Sequence, residues 1–545
     1  METMKFTEVG TKTQLLLDDH VIDDVWMIRR APEVPVKHLG NPIFPSSGTV
    51  IHDTDERIFK MWYSVSIPGA TMSLGAYAFS RDGIHWEKPD LGFDGAGFAT
   101  ARGHRYEGAG DRNLLHTNGF GPVLKDPHDL DPERRYKMMT KRDGTAESHG
   151  GRAFAAFSAD GIHWKDYPSE RSIVRNSNDG NGMVVYDERL GKYINFRRPT
   201  IIAGQKRLRP EDIGFPDHRV KKNIPIDAAL RDMERDEDGS FSLPAELGFL
   251  DEEDFVHHHE AEEFLHRYLR HVPYSNTRAL RLWTEKPNLL GCNRRIARAV
   301  SDDFIHWSEP EVVIRPDELD PPKLYSMHVS LYKGLYIGLL QVYHCWGRRG
   351  YPGCPLEPDT IDLHLTFSRD GKNWERLANR PVFIPRGPIG SFDGGMLSGC
   401  ALFEYGDEIR MYYQGTSHSH NIPSGTGSPR VRGLGAARLP KERLVARVAG
   451  DEMGVLLTKP FASPGDSLHL NANAERGLMK VEITDPIGTP IEGFSARDCQ
   501  EIRVNQLDIP VEWSGGRMLK ELAGQPIRLR FYMHQSRLYA FRFDA

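Results

Sequence analysis

The sequence predicts an all-β chain: an N-terminal segment over 1–40, a five-bladed β-propeller over 41–450 with a helical insertion in its third blade, and a C-terminal β-sandwich over 451–545. Three observations predict it. A short string recurs four times, as Ser80-Arg81-Asp82-Gly83-Ile84-His85-Trp86, Ser158-Ala159-Asp160-Gly161-Ile162-His163-Trp164, Ser301-Asp302-Asp303-Phe304-Ile305-His306-Trp307 and Ser368-Arg369-Asp370-Gly371-Lys372-Asn373-Trp374. A hairpin of two apolar-rich runs precedes each copy and recurs a fifth time without it. After Gly450 the pattern changes to short alternating strands separated by Gly and Pro turns.

Each string follows an apolar run such as Ala76-Tyr77-Ala78-Phe79, so it reads as a strand, a tight Asp-Gly turn and a strand opened by Trp. The hairpins upstream are Val50–Asp53 with Phe59–Tyr63, Pro122–Asp126 with Tyr136–Met139, Met183–Asp187 with Tyr193–Phe196, Val329–Tyr332 with Tyr336–Leu339, and Ala401–Glu404 with Ile409–Tyr413. The fifth is followed by Gly433-Leu434-Gly435-Ala436-Ala437-Arg438 where the others carry the string. Five hairpins, each followed by a further strand pair, make five four-stranded units, and units of that kind close into a ring.

The 545 residues are 39% hydrophobic and 10% aromatic, enough for sizeable cores. Lys and Arg number 70 against 76 Asp and Glu, a net charge of −6, which offers no basic face for nucleic acid and suits a neutral or small anionic ligand. The opening Met1–Glu8 has no apolar core of signal-peptide length, and no apolar run reaches membrane-spanning length, so no membrane is expected. Five scattered cysteines, Cys292, Cys345, Cys354, Cys400 and Cys499, suit a reducing compartment and a cytoplasmic location, although Cys345 and Cys354 could pair across a loop.

Within the N-terminal segment Leu15–Ile22 reads as a strand whose Asp18 and Asp19 are either catalytic carboxylates or a polar strand edge. The interval 203–280 is charge-dense and reads as helical at Pro225–Arg235 and Glu252–Arg270, an insertion suited to capping a pocket or joining two copies of the chain. Its His258, Glu262 and His266 share one helix face at metal-compatible spacing, which is also the spacing of a solvated polar face. No cofactor and no resident metal are expected. The trailing strands, from Gly454–Leu457 through Val511–Trp513 to Leu538–Phe543, form a sandwich in a supporting role.

In a propeller, function gathers at the mouth where first strands begin and second strands end. That rule selects Asn178 and Asp179 before the third hairpin, His328 before the fourth, and Ser391, Phe392 and Asp393 before the fifth. At second-strand ends it selects Arg142, Arg197, Arg198, His344, Trp346, His418 and His420. Asp53, Asp126, Asp187 and Asp407 in the hairpin turns fall on the opposite face and read as turn-formers. A like charge and burial raise one carboxyl pKa while a nearby Arg keeps another ionised, the split that acid/base cleavage of a glycosidic bond requires. Asp179 and Asp393 are therefore the candidate catalytic pair. Arg142, Arg197 and Arg198 are candidates for binding substrate, Arg198 through a carboxylate or hydroxyls; His328, His344, His418 and His420 are candidates for binding hydroxyls or sharing the acid role, and Trp346 for stacking on a sugar. The glycines beside Asp393 are expected to let a ligand approach closely.

The hairpins, the Ser-x-Asp-Gly strings, the segment Ser391-Phe392-Asp393-Gly394-Gly395-Met396 and the trailing sandwich resemble the five-bladed propeller glycoside hydrolases of the families 32, 43, 68, 117 and 130 group. More closely they resemble uncharacterised bacterial family-32-like proteins, whose C-terminal module carries strings like Gly477–Ile483 and Leu538–Phe541. The likeness covers nearly the whole chain outside the insertion. It implies a glycosidase that releases a terminal sugar from an oligosaccharide. The family 32 motifs Asn-Asp-Pro-Asn, Arg-Asp-Pro and Glu-Cys have no counterpart in the matching blades, so Asp179 and Asp393 rest on position alone. Phosphorolysis, with Arg and His holding inorganic phosphate, and glycan binding without turnover are the alternatives.

Overall fold

The computed structural model describes residues 6–66, 73–95, 111–115, 121–140, 153–169, 172–174, 182–198, 295–317, 319–321, 323–344, 360–388, 390–419, 430–514 and 516–544. The four repeated strings form one turn four times over. In the first, the Asp82 carboxylate accepts from the Ile84 and His85 N–H groups, each at 2.8 Å, and from the Ser80 hydroxyl at 3.0 Å, while the Gly83 N–H donates to Ser80 Oγ at 2.9 Å. Asp160, Asp303 and Asp370 repeat these bonds. The residue after each Asp needs a left-handed backbone: Gly83, Gly161 and Gly371 have φ of 77°, 81° and 71°, and Phe304 takes the same place at 69°. Phe304 is fully buried, edge-on to Phe157 and Tyr193, and this packing offsets the backbone strain.

Among the described residues the chain is all-β. Four short strands lead in: β1 (Gln14–Leu15), β2 (Ile22–Trp26), β3 (Ile28–Pro32) and β4 (Val36–Lys37). Three antiparallel sheets follow in chain order. The first is β5 (Gly48–Asp53), β6 (Ile58–Ser66), β7 (Ser73–Ser80) and β8 (Trp86–Glu87), with β9 (Leu114–Leu115) added to β7. The second is β10 (Val123–Lys125), β11 (Tyr136–Thr140), β12 (Phe154–Ser158) and β13 (Lys165–Asp166). The third is β14 (Met183–Asp187), β15 (Lys192–Arg197), β16 (Ile296–Ser301) and β17 (Glu311–Ile314).

A nine-stranded sheet holds two more hairpin units, joined at a single parallel bridge between Ile361 and Met396. The fourth unit is β18 (Lys323–Tyr332), β19 (Leu335–His344), β20 (Thr360–Ser368), β21 (Trp374–Arg376) and β22 (Val382–Ile384). The fifth is β23 (Met396–Tyr405), β24 (Glu408–Thr416) and β25 (Arg432–Pro440), and its outer strand is β4 from the N-terminal segment. That loan explains why the fifth hairpin carries no repeated string.

Five separate apolar cores lie at the junctions between neighbouring units. Trp62 and Met138 belong to the core between the first and second, Phe157 and Val184 to the next, Phe196 and Tyr336 to the third, and Leu339 and Met411 to the fourth. Phe59, Ala401 and Tyr412 fill the fifth, between the last unit and the first. There Tyr412 Oη donates to Gly83 O at 2.9 Å, and the Arg410 guanidinium donates to Asp82 O.

The remaining strands are β26 (Val445–Ala449), β27 (Gly454–Thr458), β28 (Phe461–Ala462), β29 (Ser467–Asn473), β30 (Leu478–Thr484), β31 (Asn505–Pro510), β32 (Pro526–His534) and β33 (Ser536–Asp544). They form two sheets over one core: β3-β26-β33-β29-β31 with β1 on β33, and β2-β27-β32-β28 with β30 on β32. Alternation along β32 and β33 predicts this face-to-face arrangement.

Two expectations change. Leu15–Ile22 is not one strand: β1 ends at Leu15 and β2 begins at Ile22. Between them the chain turns, with the His20 N–H donating to the Asp18 carboxylate at 3.1 Å and the Ile22 N–H donating to the Asp19 carbonyl at 3.3 Å. Val511–Trp513 is not a strand either; β31 ends at Pro510, and Trp513 makes an isolated bridge to Cys499. The expected insertion over 203–280, with His258, Glu262 and His266, and the Cys345–Cys354 pairing lie outside the described residues. No helix among the described residues is long and apolar enough to cross a membrane.

Candidate functional site

One strand from each unit faces a common channel. β5, β10, β14, β18 and β23 line it, and it opens at two ends that meet at Thr49, Met183, His328 and Cys400. The larger opening, about 400 Å³, is at the hairpin turns, beside His52, His128 and Glu188. The smaller, about 220 Å³, is where the first strands begin, beside Gly48, Pro122 and Ser398. Size alone favours the turn end, but its buried carboxylates are spent on ion pairs and hydrogen bonds within and between units. Asp53 pairs with Lys60 at 2.9 Å and Lys125 at 2.6 Å, and Asp126 pairs with Lys137 at 2.8 Å. On the strand-start side, cations and imidazoles stand at or just past the second-strand ends of three units, and none of them lines the smaller opening itself.

Arg197 closes β15 and is 1% exposed. Its Nη1 donates to Asn195 Oδ1 at 3.2 Å, while Nε and Nη2 have no partner among the described residues, and burial pushes its pKa down to about 9. Arg198 follows and reaches the fourth unit, with Nη1 3.4 Å from Tyr325 O and the guanidinium 5.1 Å from the Tyr325 ring. His344 ends β19, and its Nε2 lies 2.6 Å from Asp362 Oδ2. Burial alone would raise the Asp362 pKa, but the hydrogen bond and charge of His344 and the charge of Arg386 hold it below the usual carboxylate range. Arg386 Nε donates to the other oxygen at 2.8 Å and Nη1 donates to Gly394 O at 2.6 Å, tying the fourth unit to the fifth. His418 follows β24, half-buried, with Nδ1 2.8 Å from Ser417 Oγ.

His328 lies within the channel, where both openings meet; burial depresses its pKa to about 4 and its Nε2 is 3.2 Å from Ser330 Oγ. Asp393 is buried and already engaged. Lys37 of β4 is 2.6 Å from Oδ2, Tyr413 Oη donates to the same oxygen at 3.0 Å, and Ser391 Oγ donates to Oδ1 at 2.9 Å. The glycines around it serve chain packing: a Cβ at Gly387 would stand 2.1 Å from Asp393 Oδ1, and one at Gly395 would stand 2.2 Å from the His418 carbonyl. Asp179, Arg142, Trp346 and His420 lie outside the described residues.

Sequence reasoning did not single out Lys37, Asp362, His364 or Arg386. Alternation on β20 was the signal for two of them, because Asp362 and His364 are two apart and face one side. Lys37 carried no signal, since its partner is 356 residues away.

No protein-family model matches the chain. Over 214 residues it is 27% identical to the A type blood N-acetyl-alpha-D-galactosamine deacetylase of Flavonifractor plautii, a match over 38% of this chain and 24% of that protein. The chain thus spans about a quarter of the length of this relative. Among solved structures, it is similar to an N-acetylgalactosamine deacetylase from F. plautii in complex with blood group B trisaccharide, at 15% identity and TM-score 0.37, covering 77% of this chain and 97% of that one. It is also similar to a β-1,2-mannobiose phosphorylase from Listeria innocua, at 10% identity and TM-score 0.37 over 74% and 96%. A glycosyl hydrolase from Bacteroides ovatus matches at 12% identity and TM-score 0.36 over 81% and 98%. These neighbours are the kinds of protein the sequence motifs resemble, and at such scores they place no residue of this chain.

Proposed function

We propose that the five units form a closed five-bladed propeller over 41–450, and that the chain is a carbohydrate-active enzyme releasing a terminal sugar from an oligosaccharide at the mouth where first strands begin. Ring closure is supported by the fifth junction core and by the Tyr412–Gly83 bond. The functional reading rests on the position of Arg197, Arg198, His344 and His418 at or just after the second-strand ends of three successive units. Fixed cationic and imidazole donors in a site walled by protein suit sugar hydroxyls and the charge that develops on a departing glycosidic oxygen. Asp179 is the carboxylate we assign to proton exchange with that oxygen. The Lys37–Asp393 ion pair suits a group that shapes the mouth rather than one that shuttles protons.

A second reading is phosphorolysis, favoured by the unpartnered Nε and Nη2 of Arg197, which suit a phosphate oxygen. The names of the relatives add a third chemistry, deacetylation of an amino sugar. The test is a screen of aryl glycosides and oligosaccharides with three readouts: reducing sugar, sugar phosphate with added phosphate, and acetate. The proposal expects phosphate-independent release of a monosaccharide. Arg197→Met should lower kcat/KM by about 100-fold or more, the scale of losing one charge-stabilising donor. A strict need for phosphate selects the second reading, and acetate release without sugar release overturns both.

A further inference from the structure

We propose that His344, Asp362 and His364 form a binding site for one divalent transition-metal ion, Zn²⁺ being the ion their chemistry fits best. The inference goes beyond the proposed reaction and does not depend on it. β19 and β20 are antiparallel neighbours; His344 closes the first, and Asp362 and His364 stand two apart on the second, so all three emerge on one face. A ligand atom from each lies within 4.8 Å of the others, and the residues are 4%, 6% and 6% exposed.

The second, independent observation is His364 itself. Both of its ring nitrogens are buried and, among the described residues, neither has a hydrogen-bond partner. Buried imidazoles in a packed sheet ordinarily find a donor or acceptor, and here His344 and Asp362 each place a ligand atom within 4.8 Å of it. A cation between the three groups would satisfy His364 and replace the proton shared by His344 Nε2 and Asp362 Oδ2.

Arg376 and Arg380 approach His364, and each pairs with a carboxylate, Asp320 at 2.5 Å and Asp317, which takes up part of their charge. Arg386 takes the far oxygen of Asp362 at 2.8 Å, which turns Oδ2 toward the imidazoles. Outer contacts of this kind orient metal-binding carboxylates. Two neutral imidazoles and one carboxylate select a borderline ion over Ca²⁺ or Mg²⁺, which require mostly oxygen, and three protein ligands leave zinc a further position for water or substrate.

The test uses the full chain stripped with a chelator and then titrated with ZnCl₂, with bound metal counted by elemental analysis and Co²⁺ used as a visible spectroscopic probe. We expect one tight equivalent per chain. His364→Ala and Asp362→Asn should each weaken it by about 100-fold, and Arg386→Met by about tenfold as an orienting contact. Urea denaturation of each variant shows whether it folds. Should the ligand variants fail to fold, Arg386→Met together with a zinc-dependent rise in wild-type Tm that saturates at one equivalent supports the site. The proposal is overturned if the wild type binds no stoichiometric zinc at micromolar concentration, or if folded His364→Ala binds it as tightly as the wild type.

Discussion

Three donors surround the Asp393 carboxylate, and one of them, Lys37, comes from the far end of the chain. Breaking this part-buried ion pair should cost about 2 kcal/mol, between the values for exposed and buried pairs. Asp393→Asn is therefore expected to lower the urea midpoint measurably, whereas a carboxylate free to serve catalysis alone would leave the midpoint where it was and abolish turnover. His328 makes a pH prediction. Its imidazole is held neutral down to about pH 4 by burial, while the unfolded chain takes up that proton near the ordinary value of 6.5. Between those limits the unfolded state binds more protons, so stability falls as pH falls. Wild type should lose about 1–2 kcal/mol more than His328→Leu between pH 7 and pH 5, read from urea midpoints. Equal losses would mean that His328 titrates normally in the folded chain.

At the scale of elements, the hairpin turns lock each unit to the next. Asp53, Asp126 and Asp187 cap their own turns through backbone N–H groups and also accept the hydroxyl of a tyrosine on the second strand of the following unit, Tyr136, Tyr193 and Tyr336. Tyr193→Phe should cost about 1–2 kcal/mol by leaving Asp126 short of one buried donor, and should add to Tyr136→Phe because the two junctions are separate. Chemical denaturation of the single and double variants checks this. Much of the strand pattern was legible, since the Asp-Gly strings and apolar alternation are local signals carried by neighbouring residues. The turn aspartates were legible as turn-formers. Their tyrosine partners were not, because Asp126 and Tyr193 are 67 residues apart. The same limit hid the Lys37–Asp393 pair and the loan of β4 to the fifth unit, and it led Leu15–Ile22 to read as a single strand. Position nominated Arg197, Arg198 and His344, whereas Asp362, paired with His344, needed the register of β19 against β20.

Over the whole molecule, the N-terminal segment ties the structure together. Its strands enter both C-terminal sheets and the fifth unit, Leu15 and Leu16 enter different cores, and Asp18 pairs with Arg369 in the fourth unit at 2.6 Å. Removal of residues 6–40 should therefore abolish the cooperative thermal transition rather than trim a dispensable end; an unchanged calorimetric trace would show that the segment merely decorates the fold. In the closed ring we propose, distant second-strand ends share one mouth, and the functional reading depends on that mouth. A crystal structure of the chain soaked with the sugar it releases tests this most directly. The sugar is expected at the strand-start opening, within hydrogen-bond reach of Arg197 or Arg198 and of His344 or His418. A sugar held only at the opposite opening beside His52 and His128, or only on the C-terminal sheets, would contradict it.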